Sequence, residues 1–345
     1  PEDLSGTVEV FYEVALDAEF VDRVDAGTVM TGAVVDFTAK LDVRGLVWGR
    51  DYYYRFSALG RTSMVGRARC APTGGEAKAL RFAVTSCASL AHGHFHVYRR
   101  IAEREDLDAV LHLGDYLYEY GTGEYGSVRE YEPAHEIVTL ADYRTRHAQY
   151  KTDPDLQALH AAAPMIAVWD DHEIANDTWA NGAENHQSAT EGSFAARKAA
   201  ALQAYHEWMP TRNAQPDLIY RSFNFGNLVA LHMLDTRVVG RDEPADYTRF
   251  FTASGFDAAG FTAAVGAPTR QLMGGTQTQW LQQQMAASTA TWQVLGQQVL
   301  MGRMNIPAPI LIETIQPGAG VTVSQYAALV AKAQTAPATL TPAEK

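Results

Sequence analysis

The sequence predicts an α/β architecture preceded by a small all-β domain, and three observations carry that prediction. Residues 7–71 hold alternating and β-branched runs broken by Gly27, Gly45, Gly49, Gly60 and Gly66. After Ala71-Pro72-Thr73-Gly74-Gly75 the pattern changes to short apolar runs that alternate with helical ones. Several of those apolar runs end directly in acidic or thiol residues. Ligands gather at that carboxyl side of the strands in open α/β sheets.

In the first domain, placed at residues 1–74, strands are expected over Thr7–Val14, Val34–Val43 and Tyr52–Leu59. Within Asp51–Phe56, the period of two puts Tyr52, Tyr54 and Phe56 on one face and Tyr53 and Arg55 on the other. Few and short strands suggest a small β-sandwich rather than a barrel. The second domain, 75–317, opens with a strand over Leu80–Val84 and a helix over Val97–Glu105. An apolar strand, Leu107–Leu113, runs into Gly114-Asp115, and helices follow over Leu140–Tyr150 and Pro154–Ala161. Met165–Trp169 is a strand ending in Asp170-Asp171-His172; the next helix starts at a capping Ser193 and ends at Met209, stopped by Pro210. Leu228–Leu234 and Trp292–Met301 read as strands, with a helix over Thr278–Ala287 between them. Residues 318–345 are rich in Ala, Thr, Pro and Gln and read as a flexible tail, with Val323–Gln334 its one helix candidate.

The chain has room for two domains, and 47% hydrophobic residues supply a sizeable core. Its net charge of -12, from 40 acidic against 28 basic residues, opposes a general affinity for nucleic acid. A phosphate-bearing substrate remains open, because bound cations reverse the local field. No stretch approaches the roughly 20 apolar residues that span a bilayer, and no signal peptide is seen. Cys70 and Cys87 could pair as a disulfide in a secreted protein, or Cys87 could serve otherwise.

Three strand-end motifs point to chemistry. In Leu111–Glu119, Gly114 lets the chain turn sharply, and Asp115 then projects over the sheet edge where it could bridge two cations. Tyr118 can turn back to the same point, and a phenolate is a hard anionic ligand suited to a ferric ion; the alternative is a capping Asp with a packed Tyr. In Trp169–Glu173, Asp171 could bind metal while His172 reaches a phosphate or leaving group; the alternative is a solvated acidic turn. Cys87 closes the Phe82–Ser86 run, and its thiolate would bind iron or zinc unless the residue is inert or paired. Together, such ligands at successive strand ends are how two-metal phosphoesterases are built.

Arg197 sits in the second turn of its helix, where its fork could clamp a phosphate oxygen or lie on the surface. Asn185 and His186 are further loop candidates, while His92, His94 and His96 alternate in a segment that reads as solvated loop. His232, inside an apolar strand, reads as a satisfied core histidine.

These landmarks resemble the PhoD-type alkaline phosphatase and phosphodiesterase family of metallophosphoesterases. They are Tyr52–Phe56 with Gly66-Arg67, Ser86-Cys87, His112–Glu119, Trp169–Glu173, Arg197–Pro210, Leu231–Arg237 and Gln279-Trp280-Leu281. Within the family, the chain looks closest to secreted actinobacterial phospholipases D that lack the duplicated His-Lys-Asp motif. The resemblance implies a metallophosphoesterase-type α/β sandwich preceded by an immunoglobulin- or fibronectin-like β-sandwich whose first strands are absent here. It implies that Cys87, Asp115 and Tyr118 bind Fe3+. Asp115 would bridge to a second divalent ion, Ca2+ in the first place and Zn2+ or Mn2+ otherwise, held also by Asp171. His172 and Arg197 would face the phosphate, and the protein would be secreted. The family's later Gly-Asp-x-His-Asn-like motif has no counterpart, since Gly114-Asp115 is the one Gly-Asp pair and His232 the last histidine. A second polypeptide from the same precursor is therefore expected to complete the site.

The leading expectation is phosphodiester hydrolysis, in particular phospholipase D action on phosphatidylcholine-like lipids. The alternatives are a PhoD-type alkaline phosphatase acting on monoesters or other diesters, and a secreted non-catalytic module that binds calcium or a surface.

Overall fold

The computed structural model describes residues 6–75, 77–212, 215, 217–252, 255–302, 306–315, 317–342 and 344. The chain divides into two compact units, one of residues 1–243 with 271–298 and the other of 244–270 with 299–345. The boundary expected at residue 74 falls inside the first.

The first unit begins with an antiparallel sheet of β1 (Thr7–Ala15), β2 (Arg23–Gly32), β3 (Asp51–Ala58), β4 (Arg61–Thr62) and β5 (Gly66–Arg69). Among the described residues these strands form a single five-stranded sheet. β2 was not expected, and the strand expected over Val34–Val43 is a single 3-10 turn, Ala33–Val35, followed by irregular chain. The reason is local: Val34 is 85% exposed, so its β-branched character finds no face to bury. β2 instead pairs along nine residues of β1, where Tyr12 lies opposite Gly27. A Cβ on Gly27 would sit 2.9 Å from the Tyr12 hydroxyl, so the ring covers the glycine. Tyr54 covers Gly66 in the same way across β3 and β5. The following loop is tied down at Trp208, whose Nε1 donates to Asp36 (3.0 Å), and at Arg144, whose Nη2 donates to the Val34 carbonyl (2.8 Å).

β6 (Phe82–Thr85), β7 (Ala109–His112) and β8 (Met165–Ala167) form a parallel sheet in that order. The helices α1 (His96–Ala102), α2 (Leu140–Lys151) and α3 (Pro154–Ala162) make the crossovers. α2 starts at a capping box of Thr139 with Asp142, and α3 at Asp153 followed by Pro154. All four residues of β7 and all three of β8 are buried, as expected for strands covered on both faces. After α4 (Ser188–Glu191), α5 (Phe194–Trp208) starts on the Ser193 cap.

A further sheet joins β9 (Arg221–Phe225) antiparallel to β10 (Val229–Met233) and then, later in the chain, β13 (Trp292–Gly296) parallel to β10. β9 was missed, and β13 is shorter than the expected Trp292–Met301. α7 (Gly274–Ala287) reaches the sheet through Gln277, whose side chain accepts from Asp235 N (2.8 Å) and donates to Asp235 O (2.7 Å). The second unit contains β11 (Phe251–Thr252), β12 (Gly255–Phe256), α6 (Ala258–Val265), α8 (Ala308–Ile315) and α9 (Val323–Thr335). α9 covers the whole helix expected over Val323–Gln334, runs one residue further, and carries its own capping box, Thr322 with Gln325.

Candidate metal centre

The turns after β6 and β7 are fastened to each other. Cys87 N–H donates to the Gly114 carbonyl (3.1 Å) and Ala88 N–H to the Asp115 carbonyl (2.7 Å). Gly114 has φ +105°, and a Cβ there would fall 2.4 Å from Asp170 N, so only glycine lets the β7 turn pass under the β8 turn. Asp115 follows with φ +53° and Cys87 has φ +59°, left-handed backbone that non-glycine residues seldom adopt and that clusters at functional sites. The surroundings hold this backbone in place. The buried Glu173 carboxylate accepts from Tyr116 N (2.6 Å), Asp115 N (3.2 Å) and Asp170 N (2.7 Å).

Out of these turns Asp115, Asp171 and His172 converge, with one ligand atom from each within 4.8 Å of the others. Asp115 Oδ2 accepts from the Tyr118 hydroxyl (3.1 Å), while its Oδ1 is buried with no hydrogen-bond partner. The Cys87 thiol lies beside the same carboxylate. Asp171 accepts from Asp177 N (2.5 Å) and meets Arg237 at 3.2 Å. His172 Nδ1 is 2.7 Å from Glu119, a fully buried carboxylate that also accepts from Asn176 N (2.6 Å) and Asn185 Nδ2 (2.9 Å). With Nδ1–H committed to Glu119, Nε2 is the nitrogen left for other partners.

The electrostatics call for a cation. Burial raises the Asp115 pKa; the His172 charge opposes this and the Asp171 charge adds to it. Burial alone would lower His172, but the Glu119 hydrogen bond and charge, with Asp171 and Asp115, push it up to about 9. Burial raises the Cys87 thiol and the Tyr118 phenol, and the Asp115 charge adds to both shifts. A buried carboxylate oxygen with no donor, next to a second carboxylate, a thiol and a phenol, fits a metal ion: a cation would supply the missing partner and favour the anionic form of every group.

The remaining expected residues fall elsewhere. Arg197 is 1% exposed. Its guanidinium donates to Glu191 (2.9 Å), Glu136 (2.7 Å), the Tyr143 hydroxyl (3.1 Å) and the Asn185 and Ile137 carbonyls (2.8 and 2.9 Å). Its link to the cluster is indirect, through Asn185 and Glu119. Cys70 and Cys87 are both free thiols. His232 is a core histidine satisfied by Ser222 (2.7 Å) and Gln293 (3.1 Å). His92 bonds Ser89, His96 pairs with Asp155 and stacks on His94, and His186 lies 3.1 Å from the Gly192 carbonyl.

Glu119, Glu173 and Arg237 were not singled out from sequence. Arg237 reaches Asp170 (2.6 Å), Asp171 (3.2 Å) and Asp177 (3.3 Å) from the end of β10. Asp235 sets that turn, accepting from Arg237 N (2.8 Å), Val238 N (2.7 Å) and Trp169 Nε1 (3.0 Å). The available signal was the strand-end triplet Asp235-Thr236-Arg237, which repeats the strand-then-carboxylate pattern of Asp115 and Asp171.

Comparison with known proteins shows the family. Residues 82–331 match the family model of the PhoD-like phosphatases, and residues 1–72 match that of their N-terminal domain. Alkaline phosphatase D of Bacillus subtilis (strain 168) is 38% identical over 329 residues, covering 88% of this chain. The chain spans 53% of that relative's length. A solved structure titled "Structure of PhoD" superposes with a TM-score of 0.75 at 38% identity, over 87% of this chain and 57% of the other. No helix among the described residues is long and apolar enough to cross a membrane.

Proposed function

The chain belongs to the PhoD-like phosphatase family, a group of metal-dependent phosphoester hydrolases, and on that premise we propose that Asp115 and Asp171 belong to the metal-binding part of its hydrolytic centre, with His172 beside them as its proton donor. The observation that carries this reading is the unpartnered, buried Oδ1 of Asp115 inside a convergent set of anionic ligands. Homology to a hydrolase supports a catalytic reading over a non-catalytic binding module.

Cys87, Asp115 and Tyr118 would hold Fe3+, since thiolate and phenolate are the donors that suit a ferric ion. Asp115 and Asp171 would hold the second ion, Ca2+ before Zn2+ or Mn2+, in an all-carboxylate setting. Bound ions would polarise the phosphoryl oxygens and acidify a water molecule. The chain's own residues do the rest. Glu119 orients His172 so that its free nitrogen can hand a proton to the departing alkoxide. Arg237 balances the carboxylates of Asp170, Asp171 and Asp177, and Glu173 fixes both ligand-bearing turns. Arg197 acts behind the cluster as a positioning residue for Asn185 and Glu119, in place of the direct phosphate contact expected from sequence. Two ions together take on the order of eight ligand positions. Further ligands would come from sequence the relatives carry beyond the matched portion, the expected second polypeptide being one form of it.

The matched relative's name, alkaline phosphatase D, supports a phosphatase or phosphodiesterase reading; phospholipase D action on phosphatidylcholine-like lipids is the narrower alternative. Turnover of bis(4-nitrophenyl) phosphate, 4-nitrophenyl phosphate and phosphatidylcholine by metal-loaded protein separates the three. Loss of all turnover in Asp115→Asn is expected, and undiminished turnover in that variant would overturn the assignment.

A further inference from the structure

Next to the cluster stands an aromatic surface with no assigned role. Tyr125, 42% exposed, lies in the loop that follows Tyr118 and Glu119. Its ring is near-parallel to Tyr118 (centroids 5.6 Å, 21°) and to His172 (6.4 Å, 22°), and Tyr120 leans on it at 5.0 Å and 37°. Tyr118 and His172 are themselves in contact at 4.2 Å. His92 packs against Tyr125 in a T-shaped contact at 4.6 Å and 66°.

The loop holding Tyr125 is anchored at both ends. Thr122 N donates to the Ala134 carbonyl (2.8 Å), and Val128 N donates to the Ala91 carbonyl (2.8 Å). Gly121 N also donates to Glu124 (2.9 Å). Gly126, at φ +86°, runs so close to Ala91 that a Cβ would meet its carbonyl oxygen at 2.7 Å. Arg129 fastens the loop end, donating to the Leu90 carbonyl (3.0 Å) and pairing with Asp153 (2.6 Å). An exposed tyrosine on an anchored loop is a preorganised surface, and ordering it on ligand binding costs little.

We propose that Tyr125, with Tyr120 beside it, is a specificity-determining residue that stacks against a planar aromatic group, aryl or nucleobase, carried by the phosphoester substrate. The inference rests on the phosphoesterase reading of the adjacent cluster. Ring geometry selects the class of group. A cage for a quaternary ammonium sets its rings at steep angles around the cation. Here Tyr125, Tyr118 and His172 lie within about 30° of one plane direction, and a further planar ring continues such a stack in the offset arrangement aromatic pairs prefer. A ring that joins this stack through Tyr125 lies next to the Tyr118–His172 pair of the cluster.

The test is equilibrium binding of phenylphosphonate, methylphosphonate and phosphocholine to the metal-loaded protein, wild type and Tyr125→Ala, Tyr125→Phe and Tyr125→Trp. Wild type should favour phenylphosphonate over methylphosphonate by about fivefold to tenfold, the size of one aromatic stack. Tyr125→Ala should bring that ratio near one while leaving methylphosphonate affinity unchanged, and Phe or Trp should keep the ratio. A wild type that binds methylphosphonate with no phenyl preference, or a preference that survives Tyr125→Ala, overturns this inference and leaves the hydrolase reading intact. Failure to bind any of the three overturns both. A larger loss of phosphocholine than of phenylphosphonate in Tyr125→Ala overturns the planar-ring assignment in favour of a cationic one.

Discussion

Lys151, at the end of α2, offers a test of how the polar interior behind the candidate centre is held. Its ammonium donates to the Tyr116 hydroxyl (2.7 Å), lies 2.9 Å from His160 Nε2 and 3.9 Å from the Met209 sulfur, and sits 4.7 Å over the Tyr116 ring. The residue keeps partial exposure, but burial of the ammonium pulls its pKa from 10.5 down to about 7. The folded-state pKa is therefore below the unfolded one. The unfolded chain holds the extra proton throughout the window from about 7 to 10.5, and stability rises with pH across it. At 1.36 kcal/mol per pH decade the cost below the lower limit has a ceiling of about 5 kcal/mol. Lys151→Met keeps the volume and removes that cost. It also removes hydrogen bonds worth about 1 kcal/mol each, although Tyr116 keeps its bond to His160 (2.8 Å). A net gain of roughly 3 kcal/mol is expected at pH 6. It should fade through the window and turn to a small loss at its alkaline end. Thermal melts of both proteins over a pH series read this as a gap of a few degrees that closes and reverses. A gap independent of pH, or a variant less stable at every pH, would refute the reasoning.

Outcomes at Glu119, Arg197 and the two cysteines follow from the contacts. Glu119→Ala strands His172 Nδ1, Asn176 N–H and Asn185 Nδ2 in the interior and should cost about 3–5 kcal/mol, read by denaturation of metal-free protein. In metal-free Glu119→Gln, the His172 pKa should fall from about 9, as followed by NMR. Because that pKa is raised, the stability Glu119 lends through it is full below about 6.5 and is lost as pH rises through 9, so wild type and variant should converge in alkali. Arg197→Lys should destabilise about as much as Arg197→Met, because an ammonium cannot serve two carboxylates, a hydroxyl and two carbonyls at once; full recovery by lysine would contradict this. Thiol labelling of unfolded protein should count both Cys70 and Cys87 as free, and a linked peptide joining them would contradict the structure.

The sequence exposed those parts of the fold in which one residue decides a local geometry. Gly114 fixes the turn that aims Asp115, the Ser193 cap starts α5, and the continuous apolar runs locate β7, β8 and β10. It hid what depends on pairing. β2 has exposed and intermediate residues along nearly all its length, and its identity comes from the β1 register rather than from its own pattern. Ligand-type residues could be read at the strand ends, but their supports could not. Glu119 serves His172 from 53 positions away and Glu173 serves Tyr116 from 57. Arg197 shows the converse, since an arginine in a second helical turn reads alike whether it faces a phosphate or two glutamates.

Metal content addresses the central claim most directly. Elemental analysis of the purified wild type should find iron and a second divalent ion, and Asp115→Asn, which removes the carboxylate shared by Tyr118, Cys87 and the buried orphan oxygen, should lose both with the fold retained by circular dichroism. A wild type without bound metal, or an Asp115→Asn protein that keeps its full complement, would contradict a metal centre at these strand ends.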